Sequence, residues 1–325
     1  MNPANQITVG LPVCNAMPCL PETMASLLKQ TTDKFEILVI VDGGSDGSLA
    51  YLRSVRDPRL RILVQPNQGL TYTLNRMLRE CRTPWLVRQD ADDISHPDRL
   101  ARIMAAIAEY PEAGMFYSFA NYHPRGRAVG SFRCSRGTPD ELRKIVCSGY
   151  LLSICHSTVT LNVRKTLGFG GYRIGLHNED ADLWWRMALQ YDIRCIPEEL
   201  VGFRQSAFSV SSRNLGEQVV AGLYVQYLLL SHLWRRSPRA MEEVREHLES
   251  LLPNGEFQAK ERLRSVNIHL ARKEYAHAIG ALFSSLRASP GYVIRRICDE
   301  LFSTRLIANG VKPNLYLERK DALWL

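Results

Sequence analysis

The chain of 325 residues lacks several features that would place it in a specialised class. Its eight cysteines, Cys14, Cys19, Cys81, Cys134, Cys147, Cys155, Cys195 and Cys298, form no CxxC pair, and several lie in apolar stretches. Secreted disulfide scaffolds are short and cysteine-dense, so reduced thiols in a cytosolic protein are expected instead. No charged and then apolar leader opens the sequence, because Met1 to Gln6 is polar and the first apolar run reads as a strand. The most apolar later run, Leu223 to Trp234, is short of the roughly 20 residues that a membrane-spanning helix needs. A G-x-G-x-x-G loop after the first strand is missing too, which excludes a Rossmann dehydrogenase. No Gly-rich, Lys- or Arg-bearing loop near the start suits a sugar-nucleotide pyrophosphorylase. Aromatics interleaved with a basic stripe are absent, and nucleic acid is not an expected partner.

What is present is ordinary in amount: 46% hydrophobic and 23% charged residues suit a folded chain with a sizeable core. The formal charge of +8 is spread out, with 16 Lys and Arg against 12 Asp and Glu from Asn214 onward. Such a field favours anionic partners such as nucleotide-sugars, lipid phosphates or an acidic membrane surface, and serves plain solubility equally well.

The hydrophobic pattern alternates strands and helices. Ile7–Val13, Glu36–Val41, Arg61–Val64 and Trp85–Gln89 read as strands, with helices over Pro21–Gln30, Ser48–Val55 and Leu70–Cys81 between them. The EILVIV run at 36–41 is almost wholly apolar, as a strand buried on both faces requires. Pro97–Tyr110, Thr138–Cys147 and Glu179–Gln190 read as helices. Met115–Tyr122, Ala128–Arg133, Ser157–Val163 and Ile193–Arg204 read as further strands. This alternation predicts an α/β fold with a doubly wound, mostly parallel sheet. After Ser212 the texture becomes helical, with breaks at Ser237-Pro238, Pro253-Asn254-Gly255 and Ser289-Pro290-Gly291. The expected domains are 1–213 and a helical C-terminal extension, 214–325. Tyr275, Ala278, Phe283, Leu286, Ala288 and Pro290 match one helix of a tetratricopeptide-like pair. A solenoid needs three or more repeats, so a helical cap is the preferred reading.

Three acidic segments carry the chemistry. Arg88-Gln89-Asp90-Ala91-Asp92-Asp93 crowds three carboxylates beyond an apolar strand, where open α/β sheets bind ligands. Crowded like charges are costly without a cation, and oxygen ligands suit Mn²⁺ or Mg²⁺. A solvated acidic turn capping the next helix fits the same residues. Asp42, at the tip of the second strand before Gly43, Gly44 and Gly47, can accept a hydrogen bond from a base N–H, or belong to a plain Asp/Gly turn. Glu179 and Asp180 occupy the first turn of a helix, where the helix dipole favours a carboxylate, beside the loop Gly168-Phe169-Gly170-Gly171-Tyr172. There a carboxylate could take a proton from a hydroxyl, or simply complement the dipole.

In order and spacing these segments resemble glycosyltransferase family 2, over Ile7 to about Ser212. The resemblance implies a GT-A fold and an inverting, metal-dependent transfer of sugar from a nucleotide-diphosphate sugar to a glycan or lipid-linked acceptor. A UDP-sugar is the favoured donor and surface polysaccharide synthesis the implied setting. Gly10-Leu11-Pro12-Val13-Cys14-Asn15 looks like the family's first strand and loop, with Cys14 where an aromatic is more usual. By the same resemblance Pro12, Asn15, Asp42, Asn67, Gly69, Asn75, Asp90 and Arg204 are nucleotide-side residues, and Asp92 is the metal ligand. Asp180 of the ED pair is the implied catalytic base, with Glu179, Gly171, Trp184 and His156 around it. Relatives often carry a histidine about where Ser206 stands, a departure that puts that group's role in doubt. The extension, basic and apolar, is expected to meet the inner membrane face as a peripheral element. The non-enzymatic alternative is an adaptor with a degenerate nucleotide-binding domain, against which intact Asp42, Asp92 and Asp180 argue.

Overall fold

A computed structural model describes residues 6–123, 131–204, 215–251, 255–271, 274–302 and 307–324. It divides into two compact units, one of residues 1–146 with 152–204, the other of 147–151 with 205–325. The expected boundary near 213 and the segment around Ser206 lie outside the described residues.

The first unit is built on an eight-stranded sheet. In chain order its elements begin β1 (Ile7–Val13), α1 (Leu20–Leu28), β2 (Phe35–Asp42), α2 (Ser48–Ser54), β3 (Leu60–Gln65), α3 (Leu70–Glu80) and β4 (Trp85–Arg88). They continue with β5 (Ile94–Ser95), α4 (Arg99–Glu109), β6 (Met115–Tyr122), α5 (Pro139–Cys147), β7 (Leu151–Leu152), which straddles the division between the units and lies outside this sheet, β8 (Thr160–Asn162), α6 (Val163–Gly168), α7 (Glu179–Gln190) and β9 (Ile193–Phe203). The sheet order is β3-β2-β1-β4-β8-β6-β9-β5. β3, β2, β1 and β4 are mutually parallel, as are β6 and β9, while β8 runs antiparallel to both its neighbours and β5 antiparallel to β9. The result is the mixed α/β sheet of a GT-A fold followed by helices. Because β1, β2 and β4 are parallel and in register, Pro12, Asp42 and the Asp90 turn all lie toward the carboxyl ends of these strands, on one side of the sheet's rim.

The apolar runs are buried as their periodicity predicts. β2 is wholly inaccessible from Ile37 to Ile40, and Ile7, Val9, Leu11, Leu20, Met24 and Leu27 share its core. At about 25 cal/mol per Å² of apolar surface, such burial is the main force holding the edge residues in place. Of the expected strand 128–133 only the last three residues are described, and there Ser131 makes one isolated antiparallel bridge to Asn121. Another expected strand is corrected: Ser157–Val163 is not one strand. His156–Thr158 form a 3-10 turn, Thr160–Asn162 the strand, and Val163 starts α6 with Asn162 Oδ1 capping Lys165 N. The alternation over 157–163 resembled a strand because the turn's Ser157 and Thr158 are buried as well.

The second unit is helical: α8 (Leu215–Leu233), α9 (Met241–Glu249), α10 (Glu256–Ala271), α11 (Tyr275–Ala288) and α12 (Pro290–Phe302), then β10 (Ala308–Asn309) and the short α13 (Asn314–Leu317) and α14 (Lys320–Leu323). Leu223, Tyr227, Leu230, Val244, Leu248, Tyr316 and Trp324 form its core. Its buried polar tips are matched: Tyr227 Oη donates to Leu323 O (2.7 Å), and Trp324 Nε1 to Ser231 Oγ (2.8 Å). Among the described residues no helix is long and apolar enough to cross a membrane.

Candidate functional site

Asp42 ends β2 with its carboxylate turned back on the chain. Oδ1 accepts from Gln65 Nε2 (2.7 Å) and Gln68 N (2.8 Å), and Oδ2 from Gly69 N (2.9 Å). A carboxylate offers about four acceptor positions, so roughly one is left for a ligand. Gly69 reaches this geometry at φ +90°, a region L side chains rarely enter. Asn15, at φ +50°, accepts from Ser45 N through Oδ1 (2.9 Å), and Asn67 donates to Cys14 Sγ (3.3 Å). Pro12, Asn15, Asp42, Asn67 and Gly69 therefore gather on one stretch of the sheet edge.

Beside them is the Asp90 turn. Arg88, the last residue of β4, is fully buried and holds Asp90 Oδ1 at 2.5 Å. Ser157 completes the clamp: its Oγ accepts from Asp90 N (2.7 Å) and donates to Asp90 Oδ2 (3.1 Å). Burial would raise the Asp90 carboxyl, but the Arg88 guanidinium outweighs it and holds the group below the usual range. Asp92 has no such partner. No ion pair to it occurs among the described residues, and burial together with the Asp90 charge pushes it up to about 6. Asp93 is fully buried. Its Oδ1 accepts from Arg204 N (2.8 Å), its Oδ2 has no hydrogen-bond partner among the described residues, and burial and Asp90 push it well up. Arg99 braces the turn from α4, donating to Gln89 Oε1, Ser95 Oγ, Arg88 O and Ser157 O. The Arg204 guanidinium is paired with Glu22.

The third acidic segment reaches the same cluster. Asn178 starts α7 at φ +64°, placing Glu179, Asp180 and Asp182 in the first turn. Asp180 accepts from Ala181 N (2.7 Å), and burial raises its carboxyl. Glu179 is raised to about 7, by burial first and then by the Asp180 charge. Both feel the charges of Asp90 and Arg88, which ties the α7 acids to the Asp90 turn. His156 stands between: Nε2 meets Tyr172 Oη at 3.0 Å, Nδ1 lies 3.9 Å from Glu179 Oε1, and the ring is edge-on to Trp184. Burial and then Arg88 push His156 down to about 3, so it is neutral. Gly171 sits at φ +69°, where a Cβ would fall 2.5 Å from Asn75 Oδ1. Asn75 spends its amide on this loop, accepting from Tyr172 N (2.9 Å) and donating to Tyr172 O (2.7 Å).

Asp90, Asp92, His156, Gly171, Glu179, Asp180 and Trp184 thus share one cluster, with Arg204 and Asn75 tied to its rim through Asp93 and Tyr172. Arg88, Tyr172 and Arg99 stand within the sequence motifs without a role of their own, and Ser157 only beside His156. A charged residue closing an apolar strand is the signal that marks Arg88. Among the described residues no three His, Cys, Asp or Glu side chains gather as a ready-made metal cage.

Comparison with known proteins gives a consistent result. The model of "Glycosyl transferase family 2" matches residues 8–165. The amylovoran biosynthesis glycosyltransferase AmsE of Erwinia amylovora is 26% identical over 206 residues, 60% of this chain and 73% of that protein. S. aureus TarS 1-349, solved with UDP-GlcNAc, superposes with a TM-score of 0.60 at 16% identity, covering 98% of this chain and 88% of that one. The mannosyltransferase PcManGT of Pyrobaculum calidifontis, solved with GDP-Man and Mn²⁺, gives 0.54 at 15% identity over 94% and 89%.

Proposed function

We propose, from the premise that this chain belongs to glycosyl transferase family 2 through residues 8–165 and is a glycosyltransferase, that it moves a sugar from a nucleotide-diphosphate sugar to a hydroxyl of a glycan or lipid-linked acceptor with inversion. The observation that carries this reading is the convergence of Asp90, Asp92, Glu179 and Asp180 around Arg88 beyond the ends of parallel strands. Ligands bind at that edge in open α/β sheets.

In this reading Asp42, Asn15, Asn67 and Gly69 form the base side of the donor site. Asp90, ionised by Arg88, accepts from the ribose hydroxyls. Asp180 receives the proton of the acceptor hydroxyl as that oxygen attacks the anomeric carbon, and the bond from that carbon to the diphosphate oxygen breaks. Burial raises Asp180 and so makes its carboxylate a stronger base. His156 is neutral and adds no competing cation beside Glu179.

A divalent cation fits the residues present. Asp92 is a partly buried carboxylate that forms no ion pair among the described residues, and the adjacent Asp93 Oδ2 is a buried oxygen with no hydrogen-bond partner among them. A single protein carboxylate also suits Mn²⁺ or Mg²⁺, which leave much of their coordination to phosphate oxygens and water. When bound, the cation would neutralise charge on the departing diphosphate. We favour UDP as the nucleotide: TarS is a solved neighbour holding UDP-GlcNAc, although PcManGT holds GDP-Man. AmsE carries the name of a biosynthetic pathway, and we extend the same role, in surface polysaccharide synthesis at the cytoplasmic membrane face, to this chain.

The test is a panel of UDP-, GDP- and dTDP-sugars assayed for nucleotide release with Mn²⁺, with Mg²⁺ and with EDTA. Release from one donor class that EDTA abolishes is expected. No release from any donor in any condition contradicts the reading.

A further inference from the structure

α11 is oriented against its own composition. Its packed side carries small residues: Ala278 is 3% exposed and Ser285 fully buried, with Ser285 Oγ donating to Ala259 O of α10 at 2.8 Å. The large apolar residues face outward instead, Tyr275 at 61%, Ile279 at 56% and Phe283 at 64% exposure. Spaced four apart, they lie within one stripe along the helix. α12 adds Ile294 and Ile297, exposed at 56% and 40%. A helix of a water-soluble unit ordinarily turns such a stripe inward, and contiguous exposed apolar surface marks an interaction site.

The charge around the stripe selects the partner. Between Glu274 and Asp299 the chain carries no Asp or Glu, while Arg287 and Arg296 fall within this stretch. Arg287 prolongs the outward face of α11 beyond Phe283. Arg262 of α10 donates to Ser284 O at 2.8 Å, and with Gly280, Phe283, Ser284 and Arg287 it lines an open depression of about 480 Å³. An apolar stripe whose outward continuation is Arg287, with Arg262 beside it and acids only at Glu274 and from Asp299 on, is the pattern of a helix lying in a lipid interface. The side chains enter the acyl boundary and the arginines meet anionic headgroups.

We infer that the outward face of α11 docks this protein on an anionic phospholipid surface, with Tyr275, Ile279 and Phe283 inserting and Arg262 and Arg287 binding headgroup phosphates. The inference deepens the membrane-side part of the reading above and leaves the donor chemistry separate. A second copy of the chain would also cover apolar residues, but this stretch packed against itself would bring its arginines together with no acid between positions 275 and 298 to pair with them.

The test is flotation of the full-length protein with vesicles of phosphatidylcholine alone or mixed with phosphatidylglycerol, alongside sedimentation velocity without lipid. The wild type is expected to float with the anionic vesicles only. Ile279→Ser with Phe283→Ser should abolish flotation, and Arg287→Glu should weaken it by about fivefold or more, each basic residue near such a surface being worth about that factor. All these variants should release nucleotide from the donor at the wild-type rate in solution. Asp180→Asn should float normally, so loss of docking and loss of chemistry are read independently. Failure of the wild type to float, equal flotation with neutral vesicles, or wild-type flotation of the serine double variant would each overturn the inference. So would a dimer that the double variant dissociates.

Discussion

Two neighbouring parts of α7 hold acids in opposite ways. Asp182 is fully buried and paired with Arg173 at 2.9 Å and Arg186 at 2.8 Å, so its charge is matched by the chain itself. Glu179 and Asp180, in the same first turn, have no arginine bonded to them among the described residues, and burial raises both. The same contrast separates Asp90, clamped by Arg88, from Asp92, which is left to rise to about 6. Acids matched within the chain keep the frame together. Acids left unmatched at the sheet edge stay stable only if something from outside, a proton, a cation or a substrate, completes them.

The largest expected break in this comparison is Asp180→Asn. Sugar transfer should fall roughly 10²–10⁴-fold, as for loss of a general base, while the melting temperature stays at or above that of the wild type. A variant that kept full activity would move the base elsewhere. Removing a matched partner should do the reverse. Arg186→Met leaves Asp182 with Arg173 alone, and breaking a buried pair costs about 3–5 kcal/mol, read as a drop in urea midpoint. Equal stability would mean that Asp182 is not held as a buried ion.

Glu179→Gln sharpens the contrast from the other side. The Glu179 carboxyl lies above its unfolded value, so the stability it contributes is present below about pH 4 and lost as pH rises through about 7. A neutral amide removes that loss, and the variant should be more stable than the wild type at pH 8, on the order of 1–3 kcal/mol, with the gain vanishing at pH 4. Thermal melts at the two pH values decide this. The smallest effect expected is in the pH profile. Transfer should decline as pH falls below neutral, because the Glu179 and Asp180 pair takes up protons together, and the position of that decline should shift in Glu179→Gln. An unshifted profile would detach Glu179 from the base.

Much of this was legible in the residues. α7 has the bounds its acids and period indicate, and β1 and β2 follow from continuous apolar runs between turn residues. The acidic segments announce themselves because like charges are rarely crowded without reason. Their supports were harder to see. Ser157 reads as part of a strand, since a buried 3-10 turn leaves the same apolar texture, and its hold on Asp90 spans 67 positions of sequence. Asn75 looks like a nucleotide-side residue in a helix, whereas the fold spends its amide on the backbone of Tyr172. Periodicity reports which face of an element is buried. It does not report which distant backbone a polar side chain meets.

Asp92 forms no ion pair among the described residues, and in the proposed reading a cation and a diphosphate complete it. Calorimetric titration of the full chain with UDP, with and without Mn²⁺, on the wild type and on Asp92→Asn, tests it most directly. Binding that depends on Mn²⁺ in the wild type and loses that dependence in the variant is the predicted result. Mn²⁺-dependent binding of equal strength in both proteins, or no binding of millimolar nucleotide to either, would contradict it.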